Sequence, residues 1–120
     1  MKKEDKEFLL QDLSMRLPYG VKVHTNIPEM DYSTEELIEC ESDKTLSIED
    51  IDWLNNDCGE FKPYLRPMSS MTEEEEDEYE KVIRGLFEQQ LEFYLRRHLN
   101  FRGLIPKGLA IEAPEGMYIL

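Results

Sequence analysis

The sequence predicts an α+β fold: an N-terminal helix, a small antiparallel sheet of two to four strands, and a long C-terminal helix packed on that sheet. Three observations predict it. Leu9, Leu13 and Leu17 recur at four-residue steps, the spacing of one helix face. Val21-Lys22-Val23-His24-Thr25 alternates apolar and polar residues, as a half-buried strand does. From Glu73 to about Leu99, residues Tyr79, Val82, Ile83, Leu86, Phe87, Leu91, Tyr94, Leu95 and Leu99 mark a broad apolar face on a charged helix.

The first helix runs from Lys3 to Leu17, and Pro18-Tyr19-Gly20 stops it, because proline cannot continue the ladder and glycine frees the turn. The strand at Val21–Thr25 follows. Asn26 to Glu36 holds Pro28 and several acids and reads as a loop. Leu37-Ile38-Glu39-Cys40 is expected to be a second strand, Asp43-Lys44 a turn, and Thr45-Leu46 the start of a third. Ser47, three residues before Asp50, reads as the N-cap of a short helix using Ile48, Ile51 and Leu54, which Asn55-Asn56-Asp57 and Gly59 end. Lys62 to Pro67 is extended, since each proline disfavours helix in the residue before it.

Thr72 and Glu75 form a capping box at the start of the long helix. Asp77–Lys81, Glu80–Arg84 and Glu92–Arg96 have the spacing of i,i+4 ion pairs, and Gly85 costs the helix about 1 kcal/mol relative to alanine. After Asn100 the chain is broken by glycines and prolines. Leu109-Ala110-Ile111 is a further strand candidate, and apolar Met117 to Leu120 should tie the end down.

The 120 residues are expected to form a single domain, 1–120, with 26–60 as an acidic, loop-rich segment. Charge dominates the composition. There are 27 Asp plus Glu against 14 Lys plus Arg, a net −13, with a mean hydropathy of −0.60. Such a surface repels nucleic acid and anionic lipid and attracts a basic partner. The charge is also segregated. Glu29 to Glu80 holds 19 acids and three bases, whereas Lys81 to Lys107 holds six bases and two acids. The charged N-terminus does not resemble a signal peptide, and no apolar run approaches a membrane span. Cys40 and Cys58 are far apart and are expected to be free thiols, which with the other features points to the cytoplasm.

Three blocks carry a resemblance: Leu17-Pro18-Tyr19-Gly20-Val21-Lys22; Lys62-Pro63-Tyr64-Leu65-Arg66-Pro67-Met68-Ser69-Ser70-Met71-Thr72; and Phe101-Arg102-Gly103-Leu104-Ile105 with Gly108-Leu109-Ala110. In this order the chain resembles a group of small uncharacterised proteins of phages and mobile elements of gut bacteria. The resemblance implies a mobile-element origin, and paired strands in the span 26–58, but no catalytic residues.

The residues themselves point to no catalytic, cofactor or metal site. Asp50, Asp52, Asn55 and Asp57 resemble a calcium loop, but Asn55 stands where its glycine belongs and Phe61 where its final glutamate belongs. Cys40, Cys58, His24 and His98 lack zinc-ligand spacing. Ser69, Ser70 and Cys58 have no local base to activate them. Arg96, Arg97, Arg102 and Lys107, interleaved with Tyr94 and Phe101, are expected to pair with the chain's own acids. Trp53, Tyr64 and Tyr19 are candidate interface anchors.

The expected function is non-enzymatic binding to a basic surface of a host protein, for example a nucleic-acid-binding nuclease. The protein would act as a nucleic-acid mimic or inhibitor of the anti-CRISPR kind, without binding nucleic acid or membrane itself. A helix rises about 1.5 Å per residue and duplex DNA carries one charge per about 1.7 Å, so a dense acidic helix approaches phosphate charge density. The candidate contact residues are Glu73, Glu74, Glu76, Asp77 and Glu80 with Glu39, Glu41, Glu49, Asp50 and Asp52, provided they converge on one band. The alternative is an accessory or assembly module, monomeric or a homodimer that uses Leu86, Phe87, Leu91 and Phe93.

Overall fold

A computed structural model describes residues 1–118. Helix α1 spans Lys3–Arg16, and a 3-10 turn at Leu17–Tyr19 leads to Gly20, whose φ of 71° turns the chain into strand β1 (Lys22–Asp31). Strand β2 (Glu36–Thr45), helix α2 (Ile48–Asn55), strand β3 (Glu60–Leu65), helices α3 (Glu73–Val82) and α4 (Phe87–Arg96), and the short strand β4 (Ile111–Glu112) follow. The sheet order is β2-β1-β3-β4.

The α+β architecture agrees with the sequence, and the details differ in several places. The sheet is mixed rather than antiparallel. β1 is antiparallel to both neighbours, but β4 runs parallel to β3. The chain leaving α4 comes back alongside β3, first in a parallel bridge between Arg66 and Leu99, then through the Ala113 amide on the Leu65 carbonyl at 2.8 Å. Only Ile111 of the predicted strand Leu109–Ile111 is in β4.

The segment after Asn26 is a strand and not a loop. β1 continues through Pro28 to Asp31, and the ladder with β2 extends from Lys22↔Thr45 to Asp31↔Glu36. Asp43 and Lys44 therefore lie inside β2 instead of in a turn, and Thr45 ends that strand instead of starting a third. The Val21 carbonyl accepts from the Leu46 amide at 2.9 Å, which sets the parity: odd-numbered residues of β1 bond to β2, and even-numbered ones face the other way. Pro28, even-numbered, needs no amide on that side, because β3 pairs with β1 only from Val23 to Asn26.

The long helix is two helices. Leu86 is extended, with φ −70° and ψ 147°, and separates α3 from α4. The Gln90 amide group donates to the freed carbonyls of Ile83 and Gly85 at 3.0 and 3.3 Å, so the break leaves these groups partnered. The two helices fold back on one another. Tyr79 then meets Phe93 and Tyr94 at ring-centroid distances of 5.7 and 6.1 Å. Arg84 lies beyond the end of α3 and does not pair with Glu80; Asp77 and Lys81 keep their helical spacing within α3 without forming an ion pair, whereas Glu92–Arg96 forms.

Local signals held where they were purely local. Ser47–Asp50 and Thr72–Glu75 are both complete capping boxes. Leu9 and Leu13 of α1 join Val21, Val23, Leu46, Leu54, Phe61, Leu65, Leu104, Leu109 and Ala110 in one core on the odd-numbered face of β1 and β3. Tyr118 anchors the C-terminal segment: its hydroxyl accepts from the Lys22 amide at 2.9 Å and donates to the Tyr64 carbonyl at 2.7 Å. The expected anchoring of Ile119 and Leu120 lies outside the described residues.

Because β3 stops short, the distal half of the β1–β2 hairpin projects from the body as a two-stranded arm. The molecule measures 57 × 29 × 24 Å with a radius of gyration of 16.1 Å. A compact chain of this length would give about 14 Å.

Candidate functional site

The β1–β2 hairpin carries seven acids, Glu29, Asp31, Glu35, Glu36, Glu39, Glu41 and Asp43, against Lys22 and Lys44. Strand alternation sorts them. Paired residues share a face, so the register places Glu39, Glu41 and Asp43 of β2 with Pro28, Asn26 and His24 of β1 on the face away from the core. Glu60 of β3 is opposite Asn26 on the same face. Glu39, Glu41 and Asp43 thus stand in a row at about 6.8 Å intervals, twice the rise of an antiparallel strand.

At the base of this face, Asp43 organises a small network. Its Oδ1 accepts from the Tyr64 hydroxyl at 2.8 Å and lies 2.8 Å from His24 Nδ1, and His24 Nε2 lies 3.4 Å from Glu41. The hydrogen bond to Asp43 raises the His24 pKa above its ordinary 6.5, against a smaller effect of burial. The hydrogen bonds from His24 and Tyr64 hold the Asp43 carboxyl below its usual value, and burial, aided by the Asp43 charge, pushes the Tyr64 phenol up. A raised histidine pKa stabilises the fold below 6.5 and ceases to do so as pH rises through the folded value. In an NMR titration the His24 midpoint should lie above 6.5 and move down in the Asp43→Asn variant. A wild-type midpoint at or under 6.5 would refute this network.

Comparison of the chain with protein-family models, with curated proteins and with solved structures finds no match.

The predicted contact residues do not form one band. Glu39 and Glu41 are exposed on the arm, and Glu49 and Asp52 are exposed on α2. Asp50 is corrected: it is buried at the start of α2, where it accepts from the Ser47 amide and hydroxyl and pairs with Lys44 at 2.9 Å. Glu73, Glu74, Glu76, Asp77 and Glu80 are exposed on α3. α3 is held at the far end of β3, beyond the base of the hairpin, by Arg66, whose guanidinium meets both Glu75 oxygens at 2.7 and 2.9 Å. The three acidic elements are therefore separate, and only β2 aligns its acids in a regular row on one open face.

Folding the long helix in two also explains its segregated charge. The basic end of α4 meets the acidic start of α3, where Arg97 pairs with Glu78 and lies 3.6 Å from Glu75. Arg96 pairs with Glu92, and Arg102 stacks on Phe8 at 4.1 Å, as Lys107 does at 4.4 Å. Tyr94 stacks on Phe101 at 4.6 Å. Arg96 and Arg97 thus pair with acids as expected, whereas Lys107 pairs with no acid among the described residues and, like Arg102, lies over the Phe8 ring. Of the anchor candidates, Tyr64 is buried, Tyr19 is half-buried and Trp53 is exposed. Phe93 is buried against Tyr79 and is withdrawn from the proposed dimer surface.

The three sequence blocks of the resemblance all build scaffold. The first makes the turn from α1 into β1. The second makes β3, the buried Arg66 and the cap of α3. The third wedges Phe101 and Leu104 under α1 and α4. Among the described residues no group of three or more His, Cys, Asp or Glu is arranged to hold a metal ion. Cys40 and Cys58 are free thiols, and no helix is long and apolar enough to cross a membrane. Asp43, absent from the sequence-level set, has a signal, because Glu39, Glu41 and Asp43 alternate with period two, which matters only once the segment is read as a strand; Glu60, on β3, has none.

Proposed function

We propose that this is a non-enzymatic binding protein of a phage or mobile element that docks the acidic outer face of its β1–β2 arm on a basic surface of a host protein. The groove of a nucleic-acid-binding nuclease is the class of surface that fits, and the protein would inhibit it by occupying the site of the phosphate backbone. The observation that carries the reading is the row Glu39, Glu41 and Asp43 along the outer strand of a hairpin that holds seven acids and two lysines and whose distal half projects from the body. An elongated acidic projection can enter a basic cleft that a rounded body cannot, and its field steers the encounter. The exposed acids of α3 supply a second negative surface that adds to the long-range field.

The test is a pull-down from host lysate followed by affinity measurement on the captured partner. Glu39→Lys combined with Glu41→Lys should lower affinity at least about tenfold, and wild-type affinity should fall steeply with salt. Reversal of Glu74, Glu76 and Asp77 on α3 should lower it less. Capture that is indifferent to the arm reversal would exclude this reading.

A second reading has its own observation. Leu86 and Phe87, 65% and 74% exposed, sit at the turn between α3 and α4 beside an open groove lined by Leu10, Met15, Leu91 and Phe101. A homodimer closing on this groove would persist at high salt, in contrast to an acidic contact. Sedimentation in low and high salt separates the two.

A further inference from the structure

β2 is an edge strand, and every residue of it except Cys40 is exposed. The parity of the ladder identifies which of its backbone groups are free. Since Val21 pairs with Leu46, even-numbered residues of β2 bond to β1, and the amides and carbonyls of Leu37, Glu39, Glu41, Asp43 and Thr45 point out from the edge. The Lys22 amide agrees with this parity, because it turns away from β2 to the Tyr118 hydroxyl. Among the described residues no strand pairs with this outer edge. The same five residues put their side chains on the open face, so each free backbone position from 39 to 43 comes with a carboxylate beside it.

The edge discriminates between occupants. If a second copy paired β2 with β2 antiparallel about Glu41, Glu41 would face Glu41 and Glu39 would face Asp43. A parallel in-register pairing would set every acid against itself. Like charges directly opposite one another destabilise a sheet, so these acids guard the edge against self-association. An extended segment with Lys or Arg at alternate positions meets the opposite condition, because its cations fall opposite Glu39, Glu41 and Asp43 while its backbone fills the free donors and acceptors.

We propose that β2 accepts an extended segment of its partner, with Lys or Arg at every second residue, as a fifth strand of the sheet. This rests on the acidic-arm reading and deepens it by naming the conformation and residue pattern of what binds. Backbone pairing supplies affinity along the edge, and the alternating cations select register and partner.

The probe is a ten-residue peptide alternating Lys and Val, compared with a peptide of the same composition in one Lys block and one Val block. Affinity is read by fluorescence anisotropy, and amide hydrogen exchange by NMR. In the free protein the amides of Glu39, Glu41 and Asp43 should exchange without protection, while those of Cys40 and Ser42, inside the ladder, are slowed. Saturation with the alternating peptide should slow the first three at least about tenfold, and this peptide should bind at least about tenfold tighter than the block peptide. Glu41→Pro removes an outward amide without touching the ladder to β1. It should weaken binding well beyond Glu41→Gln, which removes the charge alone. Exchange decides the matter even if the proline variant folds poorly. Salt-sensitive binding that leaves the three amides unprotected overturns strand addition and leaves the acidic arm standing. Failure of both peptides to bind the wild-type protein overturns strand addition and counts against a basic partner as well.

Discussion

Asp12→Ala should destabilise the protein by about 3–5 kcal/mol, the range for removing one partner of a buried ion pair. Asp12 and Arg16 are one helical turn apart on α1, and both are 0% exposed. Arg16 Nε donates to Asp12 Oδ2 at 2.6 Å, and Nη2 donates to the Leu99 carbonyl at 2.9 Å, which ties α1 to the segment leaving α4. The guanidinium also lies over the Phe101 ring at 5.3 Å. Removing the carboxylate leaves a cation in the core with one carbonyl and one ring for company. With a stability of roughly 5–15 kcal/mol for a domain of ordinary size, the loss is a large fraction of the whole. The companion variant, Asp12→Leu with Arg16→Leu, removes both charges and should cost less than Asp12→Ala alone. It still strips the Leu99 carbonyl of its donor. Urea titration with an unchanged slope is the measurement. A loss under 1 kcal/mol for Asp12→Ala would show that the pair does not hold the helix.

Acid should weaken the fold in two separable stages. His98 is buried and stacked on Tyr118 at 3.9 Å, and burial, with the nearby charges of Arg16, Arg66 and Lys22, lowers its pKa to about 4 from 6.5. Below 6.5 the unfolded chain takes up a proton that the folded chain refuses until about pH 4, so stability falls as pH falls across that window. At about 1.4 kcal/mol per unit this is on the order of 3 kcal/mol. Glu75 acts lower down. Its hydrogen bonds from Arg66, with those at Thr72, hold its pKa at about 2 against an ordinary 4.5. Its contribution is complete above 4.5 and is lost as pH drops toward 2.

The rise in the His24 pKa works in the opposite sense, so the clean measurement is a difference between proteins. His98→Asn suits the site because His98 has φ 57°, a left-handed conformation that asparagine tolerates. The gap between wild type and this variant in denaturant titrations should change steadily from pH 7 to pH 4, with wild type losing ground. A gap independent of pH would mean that His98 stays neutral, or becomes charged, equally in both states.

What the sequence revealed depended on how far apart the interacting groups are. The capping boxes Ser47–Asp50 and Thr72–Glu75 were readable because donor and acceptor lie three residues apart. The Leu9–Leu13 stripe was readable for the same reason. β1 beyond Pro28 was not, because proline breaks a strand or not according to the side its missing amide faces, and that is decided by where β3 ends. The break before α4 was not readable either. Gly85 flags a weak point, but the gain comes from Tyr79 meeting Phe93 and from Arg97 meeting Glu78, groups 14 and 19 positions apart.

At the candidate site, Glu39 and Glu41 are legible in the sequence and Asp43 is not, since Asp43-Lys44 resembles a turn until the ladder is known. Asp50 is not legible as a buried residue for a related reason: an acid in a charged run looks solvated, although here one cation and one helix start claim it. Arg16 and Arg66, enclosed cations of the scaffold, have near partners in Asp12 and Glu75, but their burial is not legible, because it depends on the Leu99 and Arg97 carbonyls and on segments far along the chain.

The parallel return of the chain along β3 bears on the order in which the fold can be assembled. A ribosome delivers α1, the hairpin and β3 first, yet Leu104, Leu109 and Ala110, which close the core, and Tyr118, which clasps Lys22 from 96 positions away, arrive last. Contacts of such span are costly in loop entropy, and pairing that depends on them is slow. The apolar face of the sheet, only partly covered by α1 and α2, therefore stays incompletely closed until residues 104–118 dock on it.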